Sequence, residues 1–313
     1  MNKTLPSDFF KKVAFIFFLF VSYGLNAQNI VWQKTIGGSN SDAAARVKPT
    51  SDGGFIISGF SNSNISGDKT ENSINGGNDY WIVKLDASGN IQWDNTIGGD
   101  STDRVADIIE TYDGGFLIGG SSVSDSSGDK TEDGCNTYLN YGDYWVVKIN
   151  SSGVIEWQNT IGACGTEGLY SMDQTSDGGY LLGGYSVSNI SCDKTEINTA
   201  GNNGGGYPNG CGGSVGDYWI VKIDSTGNIL CQKTLGRGSW ASEFLASVTS
   251  TSDGGFIAGG YAYAPYYITP NYGGYDHWIV KLSSNCTLQW QKVIGGSGNE
   301  YSDNAEELGQ YPG

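Results

Sequence analysis

One stretch recurs along this chain and limits what it can fold into: Asp79-Tyr80-Trp81-Ile82-Val83-Lys84-Leu85-Asp86-Ala87-Ser88-Gly89-Asn90-Ile91-Gln92-Trp93. Its first half returns as Asp143-Tyr144-Trp145-Val146-Val147-Lys148, as Asp217-Tyr218-Trp219-Ile220-Val221-Lys222 and as Asp276-His277-Trp278-Ile279-Val280-Lys281. The turn Asp52-Gly53-Gly54 returns as Asp113-Gly114-Gly115, Asp177-Gly178-Gly179 and Asp253-Gly254-Gly255. Trp32, Trp93, Trp157 and Trp290 share one repeat position, with Cys231 in the fourth place, at spacings of 61, 64, 74 and 59 residues. A fixed period of this kind marks one supersecondary unit used again and again.

The first unit reads as four strands: a over 45–50, b over 55–60, c over 80–85 and d over 90–97. The Asp-Gly pair between a and b supplies the positive φ that a tight hairpin needs, and Gly89 does the same between c and d. Strand c is apolar on both faces, with Tyr80 and Ile82 on one side and Trp81, Val83 and Leu85 on the other, so it must be covered twice. Strand b is similar. Strand d alternates Ile91, Trp93 and Ile97 with polar residues, which leaves one face wet. Strand a is mixed and polar, and Pro49 is tolerable there only at a sheet edge. A four-stranded meander with a polar inner edge and two doubly buried middle strands predicts an all-β chain, a β-propeller of four-stranded antiparallel blades. A solenoid of stacked sheets is the alternative; units of about 60 residues with two tight hairpins favour the propeller. The expected inventory is four full units, a leading strand d over 29–36 and the start of a fifth unit, with a strand a over 305–310. The chain stops where the next Asp-Gly-Gly turn is due, and the expectation is of a longer protein whose repeats continue.

The first residues are of another kind. Lys3, Lys11 and Lys12 precede an apolar run over 13–21, and Leu25-Asn26-Ala27 ends it like a cleavage site. This predicts a signal peptide over 1–27 and a repeat domain over 28–313. The apolar run is too short to span a bilayer, so no membrane insertion is expected after cleavage. Six cysteines, all past that site, favour disulfides in an oxidising compartment; fifteen connectivities are open to them. The formal charge is −16, which argues against nucleic acid or an anionic lipid surface as partner.

The run 86–93, ending in Trp93, resembles the tryptophan-docking motif of quinoprotein-type propellers, in which the Trp packs between blades; the Gly-to-Trp spacing agrees and the Asp-to-Gly spacing is one residue shorter. The whole unit, with its Asp-Gly-Gly-Phe, Gly-Asp-Lys-Thr-Glu and Asp-Tyr-Trp-Ile-Val-Lys-Leu-Asp runs, is closer to secreted bacterial β-propeller repeat proteins of the Bacteroidetes type. That resemblance covers the chain past the signal segment. It implies export, often with a C-terminal type IX secretion sorting domain, and implies little about activity. It also gives Trp32, Trp93, Trp157 and Trp290 a blade-packing role, to which the double burial of strand c adds Trp81, Trp145, Trp219 and Trp278.

In a meander the a–b and c–d turns share one side, and the b–c and d–a loops share the other. The long loops (61–78, 121–142, 186–216 and 262–274) therefore mark the candidate ligand face. Three of them carry a repeated motif with carboxylates at Asp68 and Glu71, Asp129 and Glu132, and Asp193 and Glu196. Together with Asp79 these offer oxygens for Ca²⁺; alternatively they bond the loop backbone in Asx-type turns. No other cofactor is expected. Tyr207, Tyr263, Tyr266, Tyr267 and Tyr272 suit stacking on a glycan or a protein surface, or else pack among themselves. The topology favours the pairings Cys135–Cys164, Cys192–Cys211 and Cys231–Cys286; alternatively Cys231 simply fills the Trp position. His277 is expected in the core, in the place of a strand Tyr. No catalytic residue stands out: there is no Gly-x-Ser-x-Gly elbow. The function expected is therefore secreted or surface-displayed, non-catalytic binding or adhesion, with a carbohydrate-active enzyme using paired carboxylates as the runner-up.

Overall fold

The period-two apolar pattern and the Asp-Gly turns set out sixteen strands. A computed structural model of the chain describes residues 30–75, 77–135, 142–199, 211–236, 243–263 and 273–300. Two units, Met1–Thr35 and Ile36–Gly313, separate in it. In the first, residues 30–35 form no strand and Trp32 is 41% exposed; the signal segment lies outside the described residues. The expected leading strand d is therefore not formed. A strand d needs a strand c beside it, and each strand c of the second unit already pairs with its own.

Ile36–Gly313 is all β. Sheet 1 holds β1 (Asp42–Pro49), β2 (Phe55–Ser61), β3 (Asp79–Leu85) and β4 (Ile91–Ile97). Sheet 2 holds β5 (Asp103–Glu110), β6 (Phe116–Ser122), β7 (Asp143–Ile149) and β8 (Ile155–Ile161). Sheet 3 holds β9 (Glu167–Gln174), β10 (Tyr180–Ser188), β11 (Gly212–Ile223) and β12 (Ile229–Leu235), and sheet 4 holds β13 (Glu243–Ser250), β14 (Phe256–Tyr263), β15 (Tyr275–Leu282) and β16 (Leu288–Ile294). Each is an antiparallel meander in chain order. Among the described residues no helix is long and apolar enough to cross a membrane.

The core lies between sheets. Tyr80 and Ile82 pack against Val105, Ile108, Trp145 and Val147 of the next sheet; Tyr144 and Val146 meet Leu169, Met172, Trp219 and Val221; Tyr218 and Ile220 meet Leu245, Val248, Trp278 and Val280. At each junction a tyrosine ring lies against the next tryptophan, with centroids 5.0, 4.9 and 4.8 Å apart. The hydroxyls of Tyr80, Tyr144 and Tyr218 reach through to donate to the carbonyls of Trp145, Trp219 and Trp278, at 3.3, 3.1 and 3.4 Å. This explains the second glycine of strand b in sheets 2, 3 and 4. A Cβ on Gly120, Gly184 or Gly260 would stand 2.8, 2.6 and 2.6 Å from those hydroxyl oxygens and would overlap the carbonyl of the neighbouring inner strand.

Inner strands of successive sheets are bonded to one another. Lys48 pairs with Asp107 at 2.7 Å, Asp107 accepts from the amide of Met172 at 2.9 Å, and Ser171 accepts from the amide of Val248 at 3.2 Å. Each inner strand also bulges by one residue, at Ala45, Ala106, Tyr170 and Ala246. On the opposite side of the meander a repeated ion pair locks the hairpins. Lys84, Lys148, Lys222 and Lys281, all buried, reach Asp52, Asp113, Asp177 and Asp253 of the Asp-Gly-Gly turns at 2.8, 3.0, 2.6 and 3.0 Å. The Lys222 ammonium, with the Thr175 hydroxyl, brings Asp177 down to about 2. The turn glycines Gly53, Gly114, Gly178 and Gly254 have φ of 78 to 87°, which is why no other residue recurs there.

Sheet 4 has no sheet on its far side among the described residues, and this overturns two expectations. His277 is exposed rather than packed, and Trp290 is 47% exposed, because the surface that would cover them is the next unit's strand c and c–d turn. Inside the stack that dock is complete. Trp93 lies against Gly153 and donates to Ser151 O at 3.1 Å, and Trp157 lies against Gly227.

Two of the three disulfide expectations are also corrected. The bridges are Cys135–Cys192, Cys164–Cys211 and Cys231–Cys286. Cys192 stands where Gly128 stands one unit earlier, and Cys135 where Ile74 stands. A Cβ on Gly128 would touch Ile74, so the Gly128–Ile74 contact becomes, one unit on, a bridge between neighbouring b–c loops. Cys164 then meets Cys211 of the loop that crosses it. Cys231–Cys286 is as expected: Cys231 holds the Trp position, Cys286 the turn position of the next unit, and a covalent bond replaces the Trp–Gly dock.

These bridges close 47 to 57 residues each, and losing one is expected to cost about 4 kcal/mol. In denaturant titration, Cys231→Ala/Cys286→Ala should show that loss. Under reducing conditions Cys231→Trp/Cys286→Gly, which rebuilds the dock, should be the more stable of the two; equal stability would mean that bridge and dock are not interchangeable.

Candidate functional site

The loop side of the stack is built first of all by the repeated Asp-Lys-Thr-Glu motif. Its residues fold into a tight bend, with isolated bridges Ser66–Lys69, Ser127–Lys130 and Ser191–Lys194. The carboxylates of Asp68, Asp129 and Asp193 accept from the amides of Gly37, Gly98 and Gly162 at 3.2, 3.3 and 3.0 Å. Their own amides donate back to the same three carbonyls. Glu71, Glu132 and Glu196 accept from the amides of Thr96, Thr160 and Thr234 at 2.7, 2.8 and 2.6 Å. The lysine between them is buried. Lys69 and Lys194 donate to the hydroxyls of Thr96 and Thr234 and lie 5.5 and 5.3 Å over the rings of Trp81 and Trp219; Lys130 donates to Ser124 O at 2.7 Å. Burial lowers all three ammonium groups, Lys194 to about 8.

The motif is thus a latch. It ties each b–c loop to the end of strand d of its own sheet and to the segment entering strand a. The six carboxylates named as calcium candidates point at different backbone amides, and among the described residues no three His, Cys, Asp or Glu side chains converge as a metal set. Asp79 bonds the Ser73 hydroxyl and the amide of Ile74, at 2.6 and 2.7 Å.

Of the five candidate tyrosines, Tyr263 lies among the described residues. Tyr263 is 40% exposed and packs on Tyr275 at 5.2 Å, which in turn meets Tyr261 edge-on at 5.5 Å. Tyr207, Tyr266, Tyr267 and Tyr272 lie outside the described residues. Sequence reasoning missed the residues that extend this group. Tyr170 and Tyr185 stack at 5.5 Å, and Phe244 and Tyr261 at 5.0 Å. Tyr170 is the bulge residue of β9, where the other inner strands carry Ala; a bulge re-aims its side chain. Tyr185 has room because Gly168 and Gly216 leave it: a Cβ on either would meet its ring. In register, positions 43, 104, 168 and 244 correspond, as do 60, 121, 185 and 261. Sheets 3 and 4 therefore carry aromatics at the loop end of their first two strands, half-buried at Tyr170, Tyr185 and Phe244 and buried at Tyr261, and sheet 2 carries an exposed Arg104 at the position of Phe244. The one available signal was the break in the repeat at Tyr170, a large residue where the other units have Ala.

A second group was missed because it was read as loop. Each inner strand begins earlier than expected, on a carboxyl: Asp42, Asp103, Glu167 and Glu243. Three of these are fully buried beside the first residue of strand c in the preceding sheet: Asp79 by Asp103, Asp143 by Glu167, Asp217 by Glu243. Burial pushes Asp79 up to about 6, and pushes Asp103, Asp143, Glu167 and Asp217 upward as well.

No protein-family model matches the chain, and no curated protein matches it. Three disulfides suit an oxidising environment.

Because the latch carboxylates are taken up by amides, a chelator is expected to leave the melting temperature unchanged. Asp129→Ala should cost about 1–2 kcal/mol, the loss of a charge-assisted hydrogen bond to backbone, with and without calcium. Calorimetry in EDTA and in excess Ca²⁺ checks this; a calcium-dependent melting temperature abolished by Asp129→Ala would make the latch a metal site.

Proposed function

We propose that this chain is a secreted β-propeller of four-stranded blades that binds a glycan or a protein surface, without catalysis, through the loop end of its inner strands. Four antiparallel sheets stacked in chain order, with polar inner strands bonded to one another, support the propeller reading. Disulfides and the sequence of the first residues support export. The observation that carries the binding reading is the set of stacked aromatics at that end, Tyr170, Tyr185 and Phe244 half-buried and Tyr261 buried beneath Phe244 and Tyr263, continued by Tyr263 and Tyr275. Flat rings stacked at an open edge suit sugar rings and protein side chains alike, each with an apolar face and polar rim. A glycan is the first choice, because Arg104 offers an exposed hydrogen-bond donor at the corresponding position of sheet 2 and the net charge of −16 leaves nucleic acid without a basic surface.

The enzyme reading has less behind it. A glycosidase pair has to flank a bond in an open cleft, whereas the closely paired carboxyls of this chain are sealed between sheets.

A screen of the purified protein against polysaccharides and glycan arrays tests the proposal. Binding without sugar release is expected, with an affinity about tenfold weaker in Tyr170→Ala/Tyr185→Ala, two stacking contacts being lost, at a melting temperature close to that of the parent. Release of reducing ends would replace binding by catalysis. Binding unchanged in the double variant would move the site away from this row.

A further inference from the structure

The carboxyl pairs between sheets are too regular to be incidental. The same crossing recurs at the first two junctions: the amide of Asp103 donates to Asn78 O at 2.7 Å and the amide of Glu167 to Gly142 O at 2.8 Å, so each of these acids is laid beside the first residue of the preceding strand c. Asp79, Asp103, Asp143, Glu167, Asp217 and Glu243 are at most 1% exposed. Each Asp of these pairs has donors on one oxygen, and Glu167 on both. Glu167 Oε1 accepts from the hydroxyls of Ser186 and Ser188, and Oε2 from the amide of Ala163 at 3.1 Å. Asp143 Oδ2 accepts from the amide of Cys135 at 2.7 Å, and Asp217 Oδ2 from the amide and hydroxyl of Thr199. Asp103 Oδ2 accepts from Gly99 and Ser124. What no amide or hydroxyl reaches is Oδ1 of Asp79, Asp103, Asp143 and Asp217. The carboxyl of Asp143 lies beside that of Glu167, whose charge pushes Asp143 upward, and that of Asp217 lies beside that of Glu243.

Two carboxylates cannot both stay ionised in contact and out of water; a proton or a cation must sit with them. A cation does not fit. Ca²⁺ needs six to eight oxygens at about 2.3–2.6 Å, and the second oxygen of each Asp is already bonded to amides and hydroxyls. Oδ1 of Asp79, Asp143 and Asp217 also lies hard against Gly98, Gly162 and Gly236, where even a methyl group would overlap it. A proton needs no space.

We propose that successive sheets are joined by protons kept on buried carboxyls, shared within the pairs Asp143/Glu167 and Asp217/Glu243 and held by Asp79 beside Asp103, so that the stack is tightest in mild acid and its junctions loosen as the pH rises. At the second junction the proton lies on Asp143 and is donated to Glu167, the better solvated of the two by hydrogen bonds. The charges that face the pairs are the latch lysines. Lys69 faces Asp79, Lys130 faces Asp103 and Asp143, and Lys194 faces Glu167 and Asp217; Tyr80, Tyr144 and Tyr275 are the phenols alongside. Three ammonium groups do not neutralise six carboxylates, which leaves the protons in place.

The sign follows from linkage. Carboxyls raised by burial hold their protons in the folded state at pH values where the unfolded chain has lost them, so stability is full below about pH 4 and falls as pH rises through the folded values. The turn aspartates Asp113, Asp177 and Asp253, lowered to about 2, act below that window. The lowered Lys194, near 8, acts above it: the folded state sheds that proton first, so stability there rises with pH.

The test is denaturation of the full protein from pH 4 to 8, in a His277→Gln background so that no imidazole titrates, together with infrared spectra at pH 7. The folding equilibrium constant is expected to fall with pH, by up to about tenfold per pH unit for each proton held, and a protonated carboxyl carbonyl band should be present at neutral pH. Asp143→Asn, whose amide replaces the shared proton, should lose one proton's share of the slope and part of the band. Should that variant not fold, Glu167→Gln removes the same proton from the other side, and the band of the parent protein stands by itself. No band and flat stability between pH 4 and 8 would overturn the proposal. Calcium that raises the melting temperature and removes the slope would also overturn it, in favour of a cation.

Discussion

The sheets inside this stack depend on the double burial of their third strand. Tyr144 covers one face by lying against Trp219 of the next sheet, while Trp145 on the other face is covered by Tyr80 of the sheet before. Neither face can be left to water without exposing a large aromatic side chain, worth about 1.5–3 kcal/mol or more each. No sheet is therefore a folding unit by itself, and stability passes from neighbour to neighbour along the stack. The glycines of strand b follow from the same contact, since the tyrosine hydroxyl needs the space a Cβ would fill at Gly184. So does the exposure of His277 and Trp290 on the far side of sheet 4, where no described residue supplies the next aromatic.

Polar groups are buried here only where geometry repeats. Lys148 is sealed at the turn side by Asp113 and Glu156, and Lys130 at the loop side by Ser124 O. A buried ammonium without such partners would lose its proton or unfold its surroundings. The repeat allows each partner set to be solved once and then copied, which is why Asp-Gly-Gly and Lys84 travel together through four units separated by loops of very different length. The carboxyl pairs belong to the same economy, except that their partners come from two different sheets.

That difference accounts for what could be read in the sequence. Contacts within one unit leave a local mark: the alternation of Ile91, Trp93 and Ile97, the Asp-Gly turns and the apolar run of β3 gave the strands and their burial with ends a few residues off. The strand starts were missed because Asp103 and Glu167 look like loop residues until the preceding sheet is beside them. The disulfides were misjudged for the same reason. Cys135 and Cys192 are equivalent to Ile74 and Gly128, a contact between two successive b–c loops, and nothing in the spacing of one unit says that such loops touch. The leading strand failed on a simpler count: a segment with the right pattern forms no strand when every candidate partner edge is already paired.

Departures from the repeat are where a particular function has to be found, because residues common to all four units serve the stack. They concentrate in sheets 3 and 4: Tyr170 in a bulge that holds Ala elsewhere, Tyr185 with Gly168 and Gly216 cleared beneath it, Phe244 with Tyr261. The three disulfides fall on the same junctions, between sheets 2 and 3 and between sheets 3 and 4. A stack held by apolar contacts alone would let its loop side breathe, and an aromatic row that had to be ordered on contact would lose affinity to that ordering. Two of the bridges, Cys135–Cys192 and Cys164–Cys211, staple the loop side where these rings lie, and Cys231–Cys286 staples the turn side. Bridges and stacked rings thus fall on the same half of the repeat, and the proposed binding would draw on the rigidity that the bridges give that half.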